Sequence, residues 1–133
     1  MPKIETIESF IKAVESEAHN TVIEKFYTED AEIQENQDAP RIGRANLVEN
    51  EKKILNRAIV VSSKCSRPFF LTGDFVVIRW FFRFEWKDNT FSEIEEMVHQ
   101  TWRGEKIFKE QFFYNPKQFV PSKITNFEND KTP

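Results

Sequence analysis

Several residue types are scarce in this 133-residue chain, and each scarcity excludes a class of protein. A single cysteine, Cys65, rules out an internal disulfide and any cysteine-rich metal site, which favours a reducing, cytoplasmic setting. No apolar run approaches the roughly 20 residues that span a membrane, and the polar, acidic start from Met1 to Phe10 does not resemble a signal peptide. A formal net charge of −3 argues against a nucleic-acid partner. The two histidines and the scattered carboxylates show no metal-binding spacing, so no metal is expected.

Bulky aromatic residues, by contrast, are abundant. The chain has fourteen Phe and three Trp but only three Gly. Because such rings bury large areas, the chain needs a crowded core, a lined pocket or an aromatic interface. Its length suits one compact domain, which we place at residues 1–116, followed by a polar and loose C-terminal tail at residues 117–133.

The spacing of apolar residues predicts helices first and long strands afterwards. Helical spacing is found in three segments, Ile4–Glu17, Val22–Tyr27 and Arg44–Ala58. A short strand is expected at Ala31–Asn36, and longer β-prone runs follow at Ile59–Leu71, Phe75–Lys87, Phe91–Arg103 and Lys106–Tyr114. Helices gathered on one face of an antiparallel sheet make an α+β domain. A strongly bent sheet of this kind forms a cone around its N-terminal helices, with a cavity at the wide end.

The strand Phe75–Trp86 is rich in aromatic residues on both faces. Its even-numbered residues are all apolar, and because side chains alternate across a strand, this face is expected to meet the helices and line any cavity. The odd-numbered face mixes aromatic and charged residues, as homodimer interfaces do. We therefore predict a homodimer through this sheet face. It carries Arg79, Phe81 and Arg83.

Two segments carry a resemblance to a known family. They are "FYTEDAEIQEN" at Phe26–Asn36 and the closing pattern from Trp102 to Pro116. With the order of elements, they resemble the nuclear transport factor 2-like superfamily, and within it SnoaL-like domains of the polyketide cyclase type. The resemblance covers Ile4 to about Pro116. It implies a cone-shaped, commonly dimeric fold (a cystatin-like roll) with a pocket, and no cofactor. Since the superfamily includes both enzymes and binding domains, fold alone does not give function.

The pair Gln34-x-Asn36 resembles the Tyr-x-Asn pair that positions a water in limonene epoxide hydrolases. Two amides on one strand face can orient a water or a polar ligand; alternatively, Asn36 simply starts the turn before Pro40. Those hydrolases also use an Arg-x-Asp pair where this chain has Trp80-x-Phe82 or, one residue out of register, Arg79-x-Phe81. Because a general base must be titratable, the missing Asp speaks against epoxide hydrolysis.

Glu110 on the last strand is the candidate general base. Alternation predicts that it shares a face with Phe108, Phe112 and Tyr114, where desolvation would raise the pKa of its carboxyl group. The alternative is a structural carboxylate that pairs with a nearby Arg or faces solvent.

The register of the last hairpin decides which side chains join Glu110, because a slip of one residue exchanges the faces. With an even number of loop residues, Glu110 lies beside Met97 and His99, and His99 forms an acid/base pair with it. With an odd number or a bulge, it lies beside Glu96 and Gln100, and like charges raise one pKa. The sequence leaves both registers open.

Two functions are compatible with these observations. One is a domain that binds a small apolar, cyclic or polyketide-like ligand and catalyses cofactor-free proton transfer of the isomerase, cyclase or hydratase type, with Glu110 as base and His99 or Glu96 assisting. Polar groups that orient the ligand or a water are Gln34, Asn36 and Gln100. The walls are Trp80, Phe82, Trp102, Phe112 and Tyr114. The other function is a non-catalytic ligand-binding or dimerisation domain.

Overall fold

The structure is a computed structural model that describes residues 1–124. Three helices lie early in the chain, at α1 (Ile4–Ser16), α2 (His19–Phe26) and α3 (Arg44–Asn56). Seven strands form one sheet: β1 (Tyr27–Glu35), β2 (Arg41–Ile42), β3 (Ala58–Thr72), β4 (Phe75–Trp86), β5 (Thr90–Arg103), β6 (Lys106–Phe113) and β7 (Ser122–Lys123). A short 3₁₀ helix occupies Pro116–Phe119. The predicted order of helices and long strands is confirmed, with bounds that differ by a few residues.

The strands are arranged in the order β2-β1-β6-β5-β4-β3, and β7 pairs with β5 beside this path. All neighbours are antiparallel except β1 and β6, which run parallel and bring the two ends of the domain together. The α+β class with helices on a bent, mainly antiparallel sheet is confirmed. The parallel pair places Ile33 of β1 opposite Glu110 of β6, which fixes one wall of the site.

Helix α1 buries one stripe against the sheet. Ile7, Phe10, Ile11 and Val14 are all buried, and their spacing of three and four residues places them on one helical face. Helix α2 ends at Phe26, so Tyr27 begins β1 instead of closing the helix as the sequence predicted. Tyr27 is nevertheless buried, because the first residue of β1 points into the core.

Strand β4 alternates as its sequence predicts. Its even-numbered residues from Val76 to Trp86 are all buried, whereas its odd-numbered residues are exposed or half-buried. On the inner face, the rings of Trp80 and Phe82 stack at 5.5 Å, and those of Phe84 and Trp86 stack at 5.1 Å between centroids. These rings form much of the wall between sheet and helices.

A bulge in the last hairpin changes the face of one predicted residue. Thr101 pairs with Lys109 but Trp102 pairs with Ile107, so Phe108 is the extra residue. Ile107 and Glu110 are therefore both buried although they are three positions apart, a spacing that places residues of a regular strand on opposite faces. The prediction that Phe108 shares a face with Glu110 is wrong: its ring lies outside, 3.9 Å from the guanidinium carbon of Arg103.

The beginning of the predicted tail packs on the sheet. Phe119 contacts the rings of Phe84 and Trp86, and Ser122–Lys123 pairs with β5. This part is therefore not loose, because its aromatic ring covers apolar surface; the remaining residues of the tail lie outside the described part. Within residues 1–124, no helix is both long enough and apolar enough to cross a membrane.

Candidate functional site

A cavity of about 130 Å³ lies between the helices and the inner face of the sheet. Eight of its twenty lining residues are Phe, Tyr or Trp, so rings form a large part of the wall. Four of the five residues predicted as walls lie here: Trp80, Phe82, Phe112 and Tyr114. Trp102 does not line this cavity, because it is fully buried against Phe10, with ring centroids 6.0 Å apart.

Glu110 is the buried carboxyl group of the cavity, with only 3% of its surface exposed. The Tyr27 hydroxyl donates a hydrogen bond to its Oε1, and Gln100 Nε2 donates to its Oε2 at 2.6 Å. Gln100 is itself held, because Trp102 Nε1 donates to Gln100 Oε1 at 3.0 Å. Gln100 thus lies behind Glu110 and orients it. The prediction that Gln100 contacts a ligand is wrong, because Gln100 is fully buried and does not line the cavity.

Burial raises the pKa of Glu110 to about 7, because desolvation disfavours the charged form. The hydrogen bonds from Tyr27 and Gln100 oppose this effect, since both donors favour the carboxylate. The negative charge of Glu51 raises the pKa further, and the charge of His19 lowers it. Glu110 therefore exchanges a proton near neutral pH, as a general base must.

Glu96 joins Glu110 on the inner face of the sheet. The bulged hairpin pairs Gln100 with Glu110, and Glu96 lies four positions before Gln100 on β5, so it points to the same face. Burial raises the pKa of Glu96 to about 8, and the negative charge of Glu110 adds to the effect. Burial thus raises the pKa of both carboxyl groups toward neutral pH, where a side chain can exchange protons with a ligand.

His99 lies on the opposite face of β5. It pairs with Gln111, is exposed, and packs against Phe75 with ring centroids 5.5 Å apart. The alternative in which His99 forms an acid/base pair with Glu110 is therefore wrong, because the bulge selects the other register.

The amides of Gln34 and Asn36 secure a turn and do not line the cavity. Gln34 Nε2 donates to the backbone oxygen of Asp38 at 2.9 Å. Asn36 has a positive φ of 50°, and its Oδ1 accepts from the backbone N–H of Tyr114 at 3.0 Å. The prediction that this pair borders the site is wrong by one position, since the inner face of β1 carries Ile33 and Glu35.

Glu35 is a site residue that the sequence did not reveal. It accepts hydrogen bonds from the Tyr114 hydroxyl and from Arg41 Nη1, each at 2.6 Å. Burial alone would raise the pKa of Glu35, but these two donors and the charge of Arg41 outweigh it and lower the pKa. Glu35 is thus a paired carboxylate. The sequence did hold a signal for Glu35. Ile33, an apolar residue two positions earlier on β1, marks the inner face of the strand, and Glu35 lies on that same face.

His19 is a second residue that sequence reasoning missed. It lines the cavity, with Nε2 at 2.8 Å from Ser63 Oγ and Nδ1 at 3.5 Å from Glu51 Oε1. These partners come from β3 and α3, so no local pattern could have indicated them. Among the described residues, no group of three or more His, Cys, Asp or Glu side chains is placed to hold a metal ion.

Comparisons with known proteins identify the fold. A protein with a ketosteroid isomerase-like fold from Catenulispora acidiphila, in complex with trimethylamine, aligns with a TM-score of 0.73 and 17% identity over 89% of this chain and 91% of its own. A SnoaL-like polyketide cyclase-type protein from Jannaschia sp. CCS1 aligns with a TM-score of 0.71 and 9% identity, over 86% of this chain and 85% of its own. An LEH-like epoxide hydrolase from M. tuberculosis aligns with a TM-score of 0.71 and 10% identity, over 88% of this chain and 85% of its own.

No family model matches the chain, and no curated protein matches it. Identities below one fifth establish a common fold and leave activity open. The resemblance to the nuclear transport factor 2-like superfamily is confirmed at the level of fold.

Proposed function

The chain has the fold of SnoaL-like and ketosteroid isomerase-like proteins, and from this premise we propose that it binds a small, largely apolar ligand and moves a proton on it without a cofactor. The observation that carries the proposal is Glu110, a buried carboxyl group in the wall of an aromatic cavity. It is oriented by two neutral donors, and its pKa is about 7. A general base is most effective when its pKa lies near the working pH.

In the proposed reaction, Glu110 and Glu96 have complementary roles. Glu110 accepts a proton from a carbon atom beside a carbonyl group, the electron pair of the broken C–H bond forms a C=C bond to the carbonyl carbon, and the π pair of the C=O bond moves to the carbonyl oxygen. Glu96, whose pKa of about 8 keeps it mainly protonated at neutral pH, donates its proton to that oxygen. Tyr27 and Gln100 keep their hydrogen bonds to Glu110 and fix its direction.

The cavity limits the size of the ligand. Its volume of about 130 Å³ is close to that of a cavity of roughly 150 Å³ that holds benzene. A single ring or a short branched chain fits this space, whereas a polycyclic polyketide requires a wider cavity. The ligand class is therefore narrower than the polyketide-like molecules that the family resemblance suggests.

The test is exchange of the α-hydrogens of cyclopentanone in D₂O, followed by proton NMR at pH 7.5. We expect wild-type protein to accelerate exchange over buffer and Glu110→Gln to lower this acceleration at least tenfold. The matched control is Glu95→Gln, a carboxylate one residue from Glu96 on the outer face, where it pairs with Arg79 at 2.7 Å. Equal loss in both variants, or no loss in Glu110→Gln, contradicts the proposal.

A second candidate is a binding domain without catalysis. It is favoured by the hydrogen bonds at Glu110, since both carboxyl oxygens already have a donor. In this case cyclopentanone binds, as seen by shifts in protein NMR signals, while its α-hydrogens exchange at the rate found in buffer.

We also propose that two copies associate through the outer face of the sheet. Arg79, Met97 and Phe113 form one row across β4, β5 and β6, and Phe81 is exposed beside them. Arg79 pairs with Glu95 and Arg83 with Glu93, so the face carries both charges. A surface with both charges and exposed rings can be self-complementary about a two-fold axis.

A further inference from the structure

The cavity wall holds more acid than base. Four carboxyl groups line it, at Glu35, Glu51, Glu96 and Glu110, against two basic side chains, Arg41 and His19. Arg41 pairs with Glu35 at 2.6 Å, and His19 lies 3.5 Å from Glu51. Both basic groups thus have their close contacts with Glu35 and Glu51, and His19 acts on Glu110 only from a distance.

In the part of the chain that the structure describes, neither Glu96 nor Glu110 forms an ion pair. There, Glu110 accepts hydrogen bonds from the neutral donors Tyr27 and Gln100. Within residues 1–124, the Glu96 carboxyl group forms no hydrogen bond or ion pair, although it lines the cavity. Burying a charge costs free energy unless an opposite charge offsets it. A positive group inside the cavity would therefore stabilise the ionised forms of Glu96 and Glu110.

Carboxyl groups alone do not define a ligand site, but here they line a cavity in which half of the other lining residues are Phe, Tyr or Trp. The wall includes Trp80, Phe82, Phe84 and Phe112. Aromatic faces attract organic cations because the ring face is electron-rich, and this attraction grows when water is excluded. Ring surface and unpaired acid therefore favour the same kind of ligand.

We propose that the ligand of this cavity is a small organic cation, a protonated amine or a quaternary ammonium group on a short apolar body. The inference rests on the ligand-binding part of the proposed function, because it assigns the charge of the ligand that the cavity binds once both carboxyl groups are ionised. The ammonium group lies between the Glu96 and Glu110 carboxylates, and its alkyl groups contact the aromatic walls. The cavity volume of about 130 Å³ restricts the body to a few carbon atoms.

Binding of a cation is coupled to release of protons. The charged and titratable groups that face Glu96 and Glu110 from the surrounding elements are His19, Tyr27, Glu35, Arg41, Glu51 and Tyr114. Since the pKa values of Glu110 and Glu96 are about 7 and about 8 in the free protein, a cation must displace protons below pH 7. Its affinity therefore rises with pH until both groups are ionised.

The experiment compares choline with 3,3-dimethylbutan-1-ol, which has the same shape and no charge. Binding of each to the full chain is measured by titration calorimetry at pH 6 and pH 9. We expect the dissociation constant of choline to fall at least tenfold between pH 6 and pH 9, and choline to bind at least tenfold tighter than the alcohol at pH 9. In the double variant Glu96→Gln/Glu110→Gln, the preference for choline is lost while the alcohol still binds, and Glu95→Gln behaves as wild type.

The outcomes separate this inference from the proposed function. If the alcohol binds as tightly as choline at pH 9, the charge assignment is overturned and the ligand-binding cavity stands. If neither molecule binds at either pH, the assignment falls together with the proposed binding function. If choline binds equally in the double variant, it binds elsewhere on the protein and the assignment is also overturned.

Discussion

Gln100 and Glu110 are cross-strand partners whose side chains meet inside the protein. They lie directly opposite each other on β5 and β6, and Gln100 Nε2 donates a 2.6 Å hydrogen bond to Glu110 Oε2. The other end of the same amide accepts from Trp102 Nε1, so the amide cannot turn over without losing both bonds. A chain of indole, amide and carboxyl group thus fixes the direction of the candidate base from the side opposite the cavity.

This chain predicts a specific loss in Gln100→Leu. Leucine has a similar volume, but it leaves the buried Trp102 N–H without an acceptor and Glu110 without one donor. We expect the free energy of unfolding to fall by about 2 kcal/mol in urea titrations. The control is Gln118→Leu, whose Oε1 accepts an exposed bond from the backbone of Glu95; equal effects in the two variants contradict the role assigned to Gln100.

The raised pKa values of Glu110 and Glu96 predict that stability falls as pH rises from about 5 to 8. Both groups have a pKa near 4.5 when unfolded and about 7 and 8 when folded, so the folded protein binds more protons in this window. A state that binds more protons loses relative stability as protons become scarce. The lowered pKa of Glu35 acts in the opposite direction, but only at more acidic pH.

The measurement is the free energy of unfolding of wild type and Glu110→Gln at pH 5 and pH 8. Glutamine cannot ionise, so the free energy of unfolding of the variant should fall less between pH 5 and pH 8. At pH 8 it should exceed that of wild type by on the order of 2 kcal/mol. Glu95→Gln, which changes an exposed ion pair, should follow the wild-type slope. A wild-type stability that stays level between these pH values contradicts the assigned pKa shifts.

The sequence was sufficient for the fold because its strongest patterns are local. The spacing of Ile7, Phe10, Ile11 and Val14 in α1 and the alternation of β4 each required only one element to interpret. The turn at Gly73, with a φ of 58°, likewise marked the end of β3 without reference to the rest of the chain. Such features are set by backbone geometry and by one apolar face.

The site was harder to predict because it depends on pairing between distant segments. The bulge at Phe108 decides that Glu96 and not His99 joins Glu110, and no turn signal in the sequence distinguishes the two registers. His19 belongs to the site only through contacts with Ser63 and Glu51, which lie on other elements. The amides of Gln34 and Asn36 resembled a catalytic pair but serve the backbone of a turn.

The proposed dimer predicts that Phe81→Glu produces a monomer. Phe81 is exposed on the outer face of β4, directly opposite Glu95 of β5, so a carboxylate there would remove an apolar ring from the proposed interface and add negative charge to it. The mass is measured by light scattering after size exclusion. Ile42→Glu changes an exposed apolar residue of β2, at the far edge of the sheet, and should leave the mass unchanged. A wild-type protein that elutes at the mass of one chain overturns the dimer.

Finally, the two tyrosines at the cavity provide a matched pair of variants. The hydroxyl of Tyr27 donates to Glu110, whereas that of Tyr114 donates to Glu35 at 2.6 Å. Removing a donor from a buried carboxylate disfavours its charged form, so Tyr27→Phe should raise the pKa of Glu110 above 7 by roughly 1 to 2 units. Tyr114→Phe should raise the pKa of Glu35 and leave that of Glu110 within a few tenths.

The readout is the ¹³C chemical shift of the glutamate carboxyl carbons as a function of pH, with Glu110 assigned from the Glu110→Gln spectrum. The same shift must then appear in the activity: the pH at which proton exchange on cyclopentanone is half-maximal moves upward in Tyr27→Phe and stays in place in Tyr114→Phe. If the carboxyl titration moves and the midpoint of the activity does not, Glu110 is not the base. If neither moves, the Tyr27 hydroxyl does not favour the Glu110 carboxylate, and the orientation of the site must be revised.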